Sequence, residues 1–194
     1  MNLLEILQKL IECIEGEYFV SDGALLGIIR EGKLIEYDKD IDIYLLKNSF
    51  ININKLTKNK LSIVNHYLCD KVFDAKNEKP IIHKWNEYLS YKKLYYPKLD
   101  RKRLIEKVRA TYDEEKKDCI FTNPNIDIFY LNENLSFDYG FLSDKYKYYD
   151  DELFPLQINN TLGFDIYIPN KPIKVLKRLY GTSWNIKNPL FKIY

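Results

Sequence analysis

Cysteine is scarce in this chain, and its few cysteines form no recognisable framework. The 194 residues contain three of them, Cys13, Cys69 and Cys119, which are odd in number and far apart. No C-x-x-C pair is present, which argues against a disulfide scaffold and a structural zinc site. The cysteine pattern therefore predicts a protein of a reducing compartment, the cytoplasm.

Long hydrophobic runs are also missing. Glu5 and Glu12 interrupt the first apolar segment, so we expect no signal peptide. No run approaches the length of a transmembrane helix, and any membrane association would be peripheral. The net charge of +2 is the balance of many charges of both signs, so it gives no reason to expect nucleic acid as a partner.

The length and composition fit one folded domain. With 46% hydrophobic residues, the chain has enough apolar side chains for a sizeable core. No internal repeat or interdomain linker is visible, so we predict a single domain over residues 1–194. Within it, we expect about 1–46 and 120–131 to supply the central strands and 80–118 to form a helical insertion.

The most informative stretch is 18–44. It contains a short apolar strand, a Ser-Asp-Gly turn, an apolar helix that ends near Arg30, and a second strand. The second strand is predicted to carry Asp38, Asp40 and Asp42. Because side chains on a strand alternate between its faces, these carboxylates are predicted to share one face, while the intervening isoleucines face the core.

A row of carboxylates on an apolar strand is unfavourable unless something offsets it. Like charges repel one another, and burial disfavours the ionised form. Divalent cations such as Mg²⁺ or Mn²⁺, which take oxygen ligands, would offset this cost. The alternative is an exposed edge strand whose acids are solvated, and the presence of a second acidic strand favours the cation site.

That second acidic strand is predicted at 124–131. Asp127 and Phe129 are expected on one face, with Ile126 and Ile128 on the other. An aspartate among large apolar residues is a poor choice for a strand. It is explained if Asp127 faces the same cation as the acids of the first strand.

Helices are predicted at both ends of the chain. Leucine and isoleucine recur at helical spacing over 2–15. A hairpin is expected at 161–169, and then a last helix from Pro172 that is stopped by Gly181. The residues expected to pack this last helix are Ile173, Leu176, Leu179 and Tyr180.

Two motifs carry a resemblance to a known family. SDGALLGIIR at 21–30, followed by KLIEYDKDIDI at 33–43, is similar to the signature of the LicD family. That signature runs roughly G-T-L-L-G-x-x-R, a short spacer, and P-W-D-x-D-h-D-h, where h is apolar. Ala24 stands in place of the usual Thr, and Glu36-Tyr37 in place of the common Pro-Trp. The acidic positions are all retained.

Further segments extend this resemblance. Ile126-Asp127-Ile128 stands at the position of the third acidic strand of the family, and 154–181 resembles its P…P…L…YG ending. The resemblance implies an α/β (α+β) nucleotidyltransferase-like fold, in which a mixed sheet is flanked by helices. Additional helices are expected from the middle and C-terminal segments.

The resemblance also implies an activity. LicD-family enzymes include phosphocholine and ribitol-phosphate transferases. We therefore expect a metal-dependent transfer of a phospho-alcohol from a CDP-activated donor to a sugar hydroxyl of a surface glycan or its precursor, with release of CMP. The cofactor would be Mg²⁺ or Mn²⁺.

Site residues follow from the motifs and the resemblance. Asp40, Asp42 and Asp127 are the predicted catalytic and metal-binding residues, with Asp127 either completing the cation site or accepting the proton of the attacking hydroxyl. The predicted substrate-binding residues are Ser21, Gly23, Ala24, Leu25, Arg30 and Asp38. For Arg30, an ion pair with Glu31 or Glu36 is the structural alternative to a contact with the diphosphate.

Two other functions use the same sequence features. A true nucleotidyltransferase would move a nucleoside monophosphate from a nucleoside triphosphate and release pyrophosphate. A non-catalytic module would keep the fold for nucleotide sensing or assembly, and loss of one of the three acids would have favoured it. None of the three is lost.

Overall fold

The computed structural model describes residues 1–36, 38, 40–65, 70–75, 125–136 and 147–187. These residues form a mixed sheet flanked by helices, which confirms the predicted α/β class. The helical insertion predicted at 80–118 lies outside the described residues.

A five-stranded sheet forms the centre of the molecule. Its strands, in chain order, are β2 (Tyr18–Ser21), β3 (Asp40–Leu45), β5 (Leu61–Asn65), β6 (Asp70–Asp74) and β7 (Asn125–Tyr130). Their order in space is β2-β3-β7-β6-β5. β3 and β7 run parallel, and the other neighbours are antiparallel. The two predicted acidic strands are therefore adjacent.

Two small sheets and several helices complete the described part. The short strands are β1 (Ile14–Glu15), paired with β4 (Phe50–Ile51), and β8 (Gln157–Asn159), paired with β9 (Ile166–Ile168). The helices are α1 (Leu3–Ile11), α2 (Asp22–Glu31), α3 (Ile53–Lys58), α4 (Asp150–Leu153) and α5 (Pro172–Tyr180). Among the described residues, no helix has the length and apolarity needed to cross a bilayer.

Helix α1 covers one face of the central sheet. A capping box begins it, in which the Asn2 side chain accepts from the Glu5 amide and the Glu5 side chain accepts from the Asn2 amide. Its buried side packs toward β3, β6 and β7. The isoleucines of these strands, such as Ile41 and Ile128, are fully buried. The face of β3 and β7 that carries the acids is consequently the opposite one.

The β2–α2–β3 unit confirms the strand–helix–strand arrangement predicted at 18–44, with two corrections. Helix α2 begins at Asp22, where the sequence suggested a turn, and β3 begins at Asp40, so Asp38 precedes the strand. The chain returns closely past α2. A Cβ at Gly27 would lie 2.6 Å from the Lys33 carbonyl oxygen and 2.9 Å from the Ile35 amide nitrogen. Gly27 therefore serves close backbone packing.

The C-terminal predictions are correct in outline and wrong in detail. Helix α5 has the expected bounds, but its buried residues are Val175, Leu176 and Leu179. Ile173 and Tyr180, predicted to pack, are exposed by 50% and 41%. The hairpin predicted at 161–169 exists as β8 and β9, with its first strand before that range.

The N-terminal helix is shorter than predicted. It was expected over 2–15, but α1 ends at Ile11. Ile14 and Glu15 instead pair with β4, where Ile14 lies opposite Ile51. Strand pairing with a segment distant in sequence has replaced the last helical turn, an outcome that periodicity alone does not reveal.

Candidate active site

A row of polar side chains crosses the three strands at one end of the acidic face. In the sheet register, Asp42 of β3 lies opposite Ser21 of β2 on one side and Asp127 of β7 on the other. Asp40 lies opposite Asn125. The parallel pairing of β3 and β7 thus brings together the three acids that were predicted to be catalytic.

Asn125 fixes the carboxylate of Asp127. Its side-chain nitrogen donates to Asp127 Oδ1 at 2.6 Å. Both residues are buried, with exposed fractions of 5% and 8%. A buried carboxylate needs hydrogen-bond donors, because the ionised form is otherwise destabilised by desolvation. Asn125 was not predicted as a site residue, although it shares the strand face of Asp127 by its spacing of two.

Replacement of Asn125 by Ala is expected to lower the free energy of unfolding by about 1–3 kcal/mol, because the buried Asp127 carboxylate loses a donor. Urea denaturation followed by circular dichroism at neutral pH measures this change. The exposed Asn134 offers a matched control, and Asn134→Ala should leave the midpoint unchanged. Equal effects of the two substitutions would contradict a specific role for Asn125.

Asp38 reaches the same end of the sheet although it lies outside β3. A Cβ placed on Gly23 would overlap Asp38 Oδ2. The Asp38 carboxylate therefore occupies the space beside the first turn of α2. A side chain at position 23 would displace the Asp38 carboxylate, and the contact joins the residue before β3 to the start of the helix.

Asp42 is at the centre of a group of acids. Its pKa is raised well above the ordinary value, first by burial and then by the negative charges of Asp22, Asp40, Asp127 and Asp38. Charges repel in this way when carboxylates share a poorly solvated part of the protein. We refer to these five residues as the acidic cluster.

Asp22 is the member of the acidic cluster that sequence reasoning missed. It was assigned to a turn, whereas it is the first residue of α2 and has a backbone φ of 50°. Its Oδ2 accepts a hydrogen bond of 2.5 Å from the Tyr44 hydroxyl. Tyr44 has the same parity as Asp40 and Asp42, so the alternation of the strand could have placed this hydroxyl on the acidic face.

Aromatic rings pack beneath the acidic cluster. The Tyr44 ring stacks between Phe19 and Phe129, with centroid distances of 5.2 and 5.0 Å. Tyr148 meets the rings of Phe19 and Tyr44 edge-on at 4.9 and 5.3 Å. Edge-to-face and offset contacts of this kind are favourable beyond the area that they bury. The aromatic layer therefore gives the acids a rigid base.

The Tyr148 hydroxyl connects this layer to the start of α2. It shares a hydrogen bond of 2.8 Å with Ser21 Oγ. Ser21 occupies the N-cap position of the helix but makes no side-chain cap, since its hydroxyl is engaged by Tyr148. Arg178 lies over the Tyr148 ring at 5.5 Å and pairs with the buried Glu152. Tyr148 was not among the predicted site residues.

The other predicted substrate-binding residues differ in what they can offer. The side chains of Ala24 and Leu25 are buried in the core. The Leu25 amide makes the first intrahelical hydrogen bond, to the carbonyl of the N-cap Ser21, so of these two residues only Ala24 offers a backbone amide to a substrate. Arg30 pairs with Glu31 at 2.6 Å. This ion pair is the structural alternative that the sequence analysis gave for Arg30, and it is confirmed.

The acidic cluster has the donor chemistry of a site for a hard divalent cation. Carboxylate oxygens are the ligands that Mg²⁺ and Mn²⁺ accept, and a cation would relieve the repulsion at Asp42. Within the described part of the chain, however, no group of three or more His, Cys, Asp or Glu side chains has an arrangement that could hold a metal ion. The acids fit a cation by their chemistry, and their side chains would have to move closer together to bind one.

The comparison with known families now decides the relationship of the chain. The sequence model of the family described as LicD/FKTN/FKRP, nucleotidyltransferase domain, matches residues 15–171. The chain belongs to the LicD family. The matched residues include all of the acidic cluster, Ser21 and Tyr148, and they end just before α5. No significant match to a curated protein was found.

Membership in the LicD family fixes the general class of activity. It places the chain among transferases, of the phosphotransferase type that modifies glycans. The matched range contains both acidic strands, β3 and β7.

Proposed function

We propose that this protein is a metal-dependent phosphotransferase that moves a phospho-alcohol group, such as phosphocholine or ribitol phosphate, from a CDP-activated donor to a sugar hydroxyl of a surface glycan or its precursor. The observation that carries this proposal is the crowding of carboxylates around Asp42, which raises its pKa. Such a cluster is costly to the fold without a bound cation, and phosphate-transferring sites need one.

Asp40, Asp42 and Asp127 would hold the Mg²⁺ or Mn²⁺. When bound there, the ion would neutralise charge on the donor diphosphate and on the leaving CMP. Asp38, beside Gly23, borders the same place. The amides of Gly23 and Ala24 at the start of α2 are suited to contact phosphate oxygens, since they have no acceptor within the helix.

The remaining requirement is an acceptor for the proton of the attacking sugar hydroxyl. As the hydroxyl oxygen bonds to the phosphorus next to the alcohol, the bond from that phosphorus to the CMP oxygen breaks. Asp127 is the candidate general base, and the hydrogen bond from Asn125 would hold its carboxylate in a fixed orientation. The buried position of Asp127 would limit competition from water.

Thermal unfolding with Mg²⁺ or Mn²⁺ and a panel of nucleotides tests the proposed donor. CDP-choline, CDP-ribitol and CDP-glycerol would be compared with CTP, ATP and UDP-sugars. A ligand that binds only the folded state at about 100 times its Kd stabilises it by about 2.7 kcal/mol. We expect one CDP-alcohol to raise the midpoint in a metal-dependent manner, and Asp127→Asn should keep the fold but not support turnover.

Product analysis separates the two chemistries that share this site. Transfer of a phospho-alcohol releases CMP, whereas nucleotidyl transfer from a nucleoside triphosphate releases pyrophosphate. Stabilisation by CTP or ATP alone, together with pyrophosphate release, would replace the proposal by the nucleotidyltransferase alternative. Absence of turnover with every donor, in a protein that binds nucleotide and metal, would favour the non-catalytic module.

A further inference from the structure

Arg178 of α5 is held in place by a buried acid. Its Nη1 donates to Oε2 of Glu152 in α4, and the Glu152 side chain is only 3% exposed. A buried carboxylate needs a partner of opposite charge, so this ion pair restricts the position of the guanidinium. Lys174 also pairs with Glu152, at 3.2 Å, but the Lys174 side chain is exposed. Arg178 is the more deeply buried of the two cations.

The guanidinium of Arg178 also contacts two consecutive aromatic rings. Its Cζ lies 5.5 Å from the centre of the Tyr148 ring and 5.4 Å from the centre of the Tyr149 ring. A planar guanidinium is suited to such contacts, because the face of an aromatic ring attracts a cation. Since Tyr148 is almost completely buried, the position of Arg178 constrains a ring inside the protein.

Tyr148 carries this constraint to the acidic strands. Its hydroxyl shares a hydrogen bond of 2.8 Å with Ser21 Oγ. Ser21 is fully buried and lies opposite Asp42 in the sheet. Arg178 is therefore connected to the neighbour of Asp42 by two contacts, the first with the Tyr148 ring and the second from the Tyr148 hydroxyl. Supporting contacts of this kind hold a reactive site in one geometry.

The Tyr148 hydroxyl is suited to hold a neighbour in position and not to transfer a proton. Burial, and then the negative charge of Asp22, raise the pKa of Tyr148 well above its ordinary value, although the positive charge of Arg178 opposes the rise. The hydroxyl consequently stays protonated near neutral pH and acts as a hydrogen-bond partner. A general acid or base would instead need a pKa near the working pH.

We propose that Arg178, held by Glu152, is a positioning residue for phosphoryl transfer, because it fixes Tyr148 and, through Tyr148, fixes Ser21 beside Asp42. This inference rests on the proposed function. It extends the functional residues into α5, which lies beyond the range matched by the family model. The structural alternative is an ion pair that only anchors α5 to α4. Such a pair would affect stability but not turnover by the folded protein.

Arg178→Met tests the proposal, because methionine keeps a long side chain near the Tyr148 ring but has neither the charge nor the planar donors. We expect kcat for CMP release from CDP-choline, CDP-ribitol or CDP-glycerol to fall about 10- to 100-fold, the scale of a small misplacement of reacting groups. KM should stay nearly unchanged, because the loss affects the transition state and not substrate binding. Arg178→Lys retains the charge and should recover part of the activity.

Tyr148→Phe tests the second contact, because phenylalanine keeps the ring and loses the hydroxyl. Its kcat should fall on the same scale as that of Arg178→Met, with the pH dependence of kcat unchanged. The double variant Arg178→Met/Tyr148→Phe should be no slower than the slower single variant. Substitutions that break the same connection are not additive, whereas independent effects would multiply.

Two further variants separate position from stability. Lys174→Met removes the other cation that pairs with Glu152, and it should behave as the wild type. Glu152→Gln/Arg178→Met removes both charges of the buried pair, so no buried carboxylate is left without its partner if Arg178→Met alone fails to fold. All kinetics would be measured well below the unfolding midpoint of each variant.

Loss of kcat in Arg178→Met and Tyr148→Phe, but not in Lys174→Met, supports the proposal. Wild-type kcat in the folded Glu152→Gln/Arg178→Met protein, when Asp42→Asn is inactive, overturns the inference and leaves the proposed function intact. If the wild type releases no CMP from any of the three donors, the proposed function is wrong and the inference falls with it.

Discussion

Asp42→Asn is expected to reduce turnover by at least about 100-fold while the protein remains folded, the scale seen when a single group that stabilises the transition state is removed. Asparagine has nearly the same shape as aspartate, but it cannot attract a cation with a full negative charge. Asp42 is the acid whose pKa is raised by the negative charges of the other four members of the acidic cluster. Its loss would therefore remove the central ligand of the proposed site.

The same substitution is not expected to lower the stability of the metal-free protein. Without metal, Asp42→Asn removes the repulsion that raises the pKa of Asp42, so the unfolding midpoint should not fall. Release of CMP from the preferred CDP-alcohol, and thermal unfolding in EDTA, measure the two effects. Asp165→Asn serves as the control at an exposed acid, and it should behave as the wild type. Full turnover in Asp42→Asn would remove the basis of the proposed mechanism.

Gly27→Ala is expected to lower the free energy of unfolding by about 1–3 kcal/mol, the usual cost of forcing an extra methyl group into a packed site. The new Cβ would lie 2.6 Å from the Lys33 carbonyl oxygen and 2.9 Å from the Ile35 amide nitrogen. Both contacts are with backbone atoms, which cannot rotate away as a side chain can. The loop that leads to β3 would have to move.

Helix propensity alone predicts the reverse result for Gly27→Ala. Alanine is favoured over glycine inside a helix by about 1 kcal/mol, so a helix free of close neighbours would gain stability. Urea denaturation measures the change in the free energy of unfolding. When one dependence of this free energy on urea concentration is fitted to both proteins, the shift of the midpoint shows whether the variant is more or less stable. A stabilised variant would mean that the chain does not return past α2 at this distance.

The acidic strands could be predicted from the sequence because their signal is local. Alternation along β3 and β7 places Asp40, Asp42 and Asp127 on faces that differ in polarity from the isoleucine faces. The family motif then indicates that the two strands belong together. Their parallel register, with Asp42 beside Asp127, is a long-range pairing, and only the structure supplies it.

The missed residues share a dependence on tertiary structure. Asp22 was assigned to a turn because Ser-Asp-Gly is typical turn chemistry, and its left-handed φ is indeed turn-like although it begins a helix. Tyr148 comes from a segment distant in sequence and reaches Ser21 only in the folded chain. Tyr44 and Asn125 could have been found earlier, from their parity with Asp42 and Asp127 on the two strands.

The error at α5 has a simple geometric origin. A nine-residue amphipathic helix has more than one apolar stripe, and Ile173, Leu176 and Tyr180 form one of them. The side that is buried contains Val175, Leu176 and Leu179, so Leu176 and Leu179 were predicted correctly while Ile173 and Tyr180 lie outside it. Which stripe faces inward depends on the elements against which the helix packs, and α5 packs against α2 and α4. The sequence of the helix alone therefore does not determine which of its sides is buried.

The position of β7 has a consequence for how the protein assembles. β7 lies between β3 and β6 in the central sheet. It must therefore insert between the β2–α2–β3 unit and the β5–β6 pair. Each of these two units is held by contacts that are local in sequence. Contacts between segments far apart in the chain form slowly, because the intervening loop must close first. We therefore expect β7 to join last. Since β7 carries Asp127, the newly synthesised chain would acquire its third acid only when its folding is completed, and a stalled intermediate would be inactive.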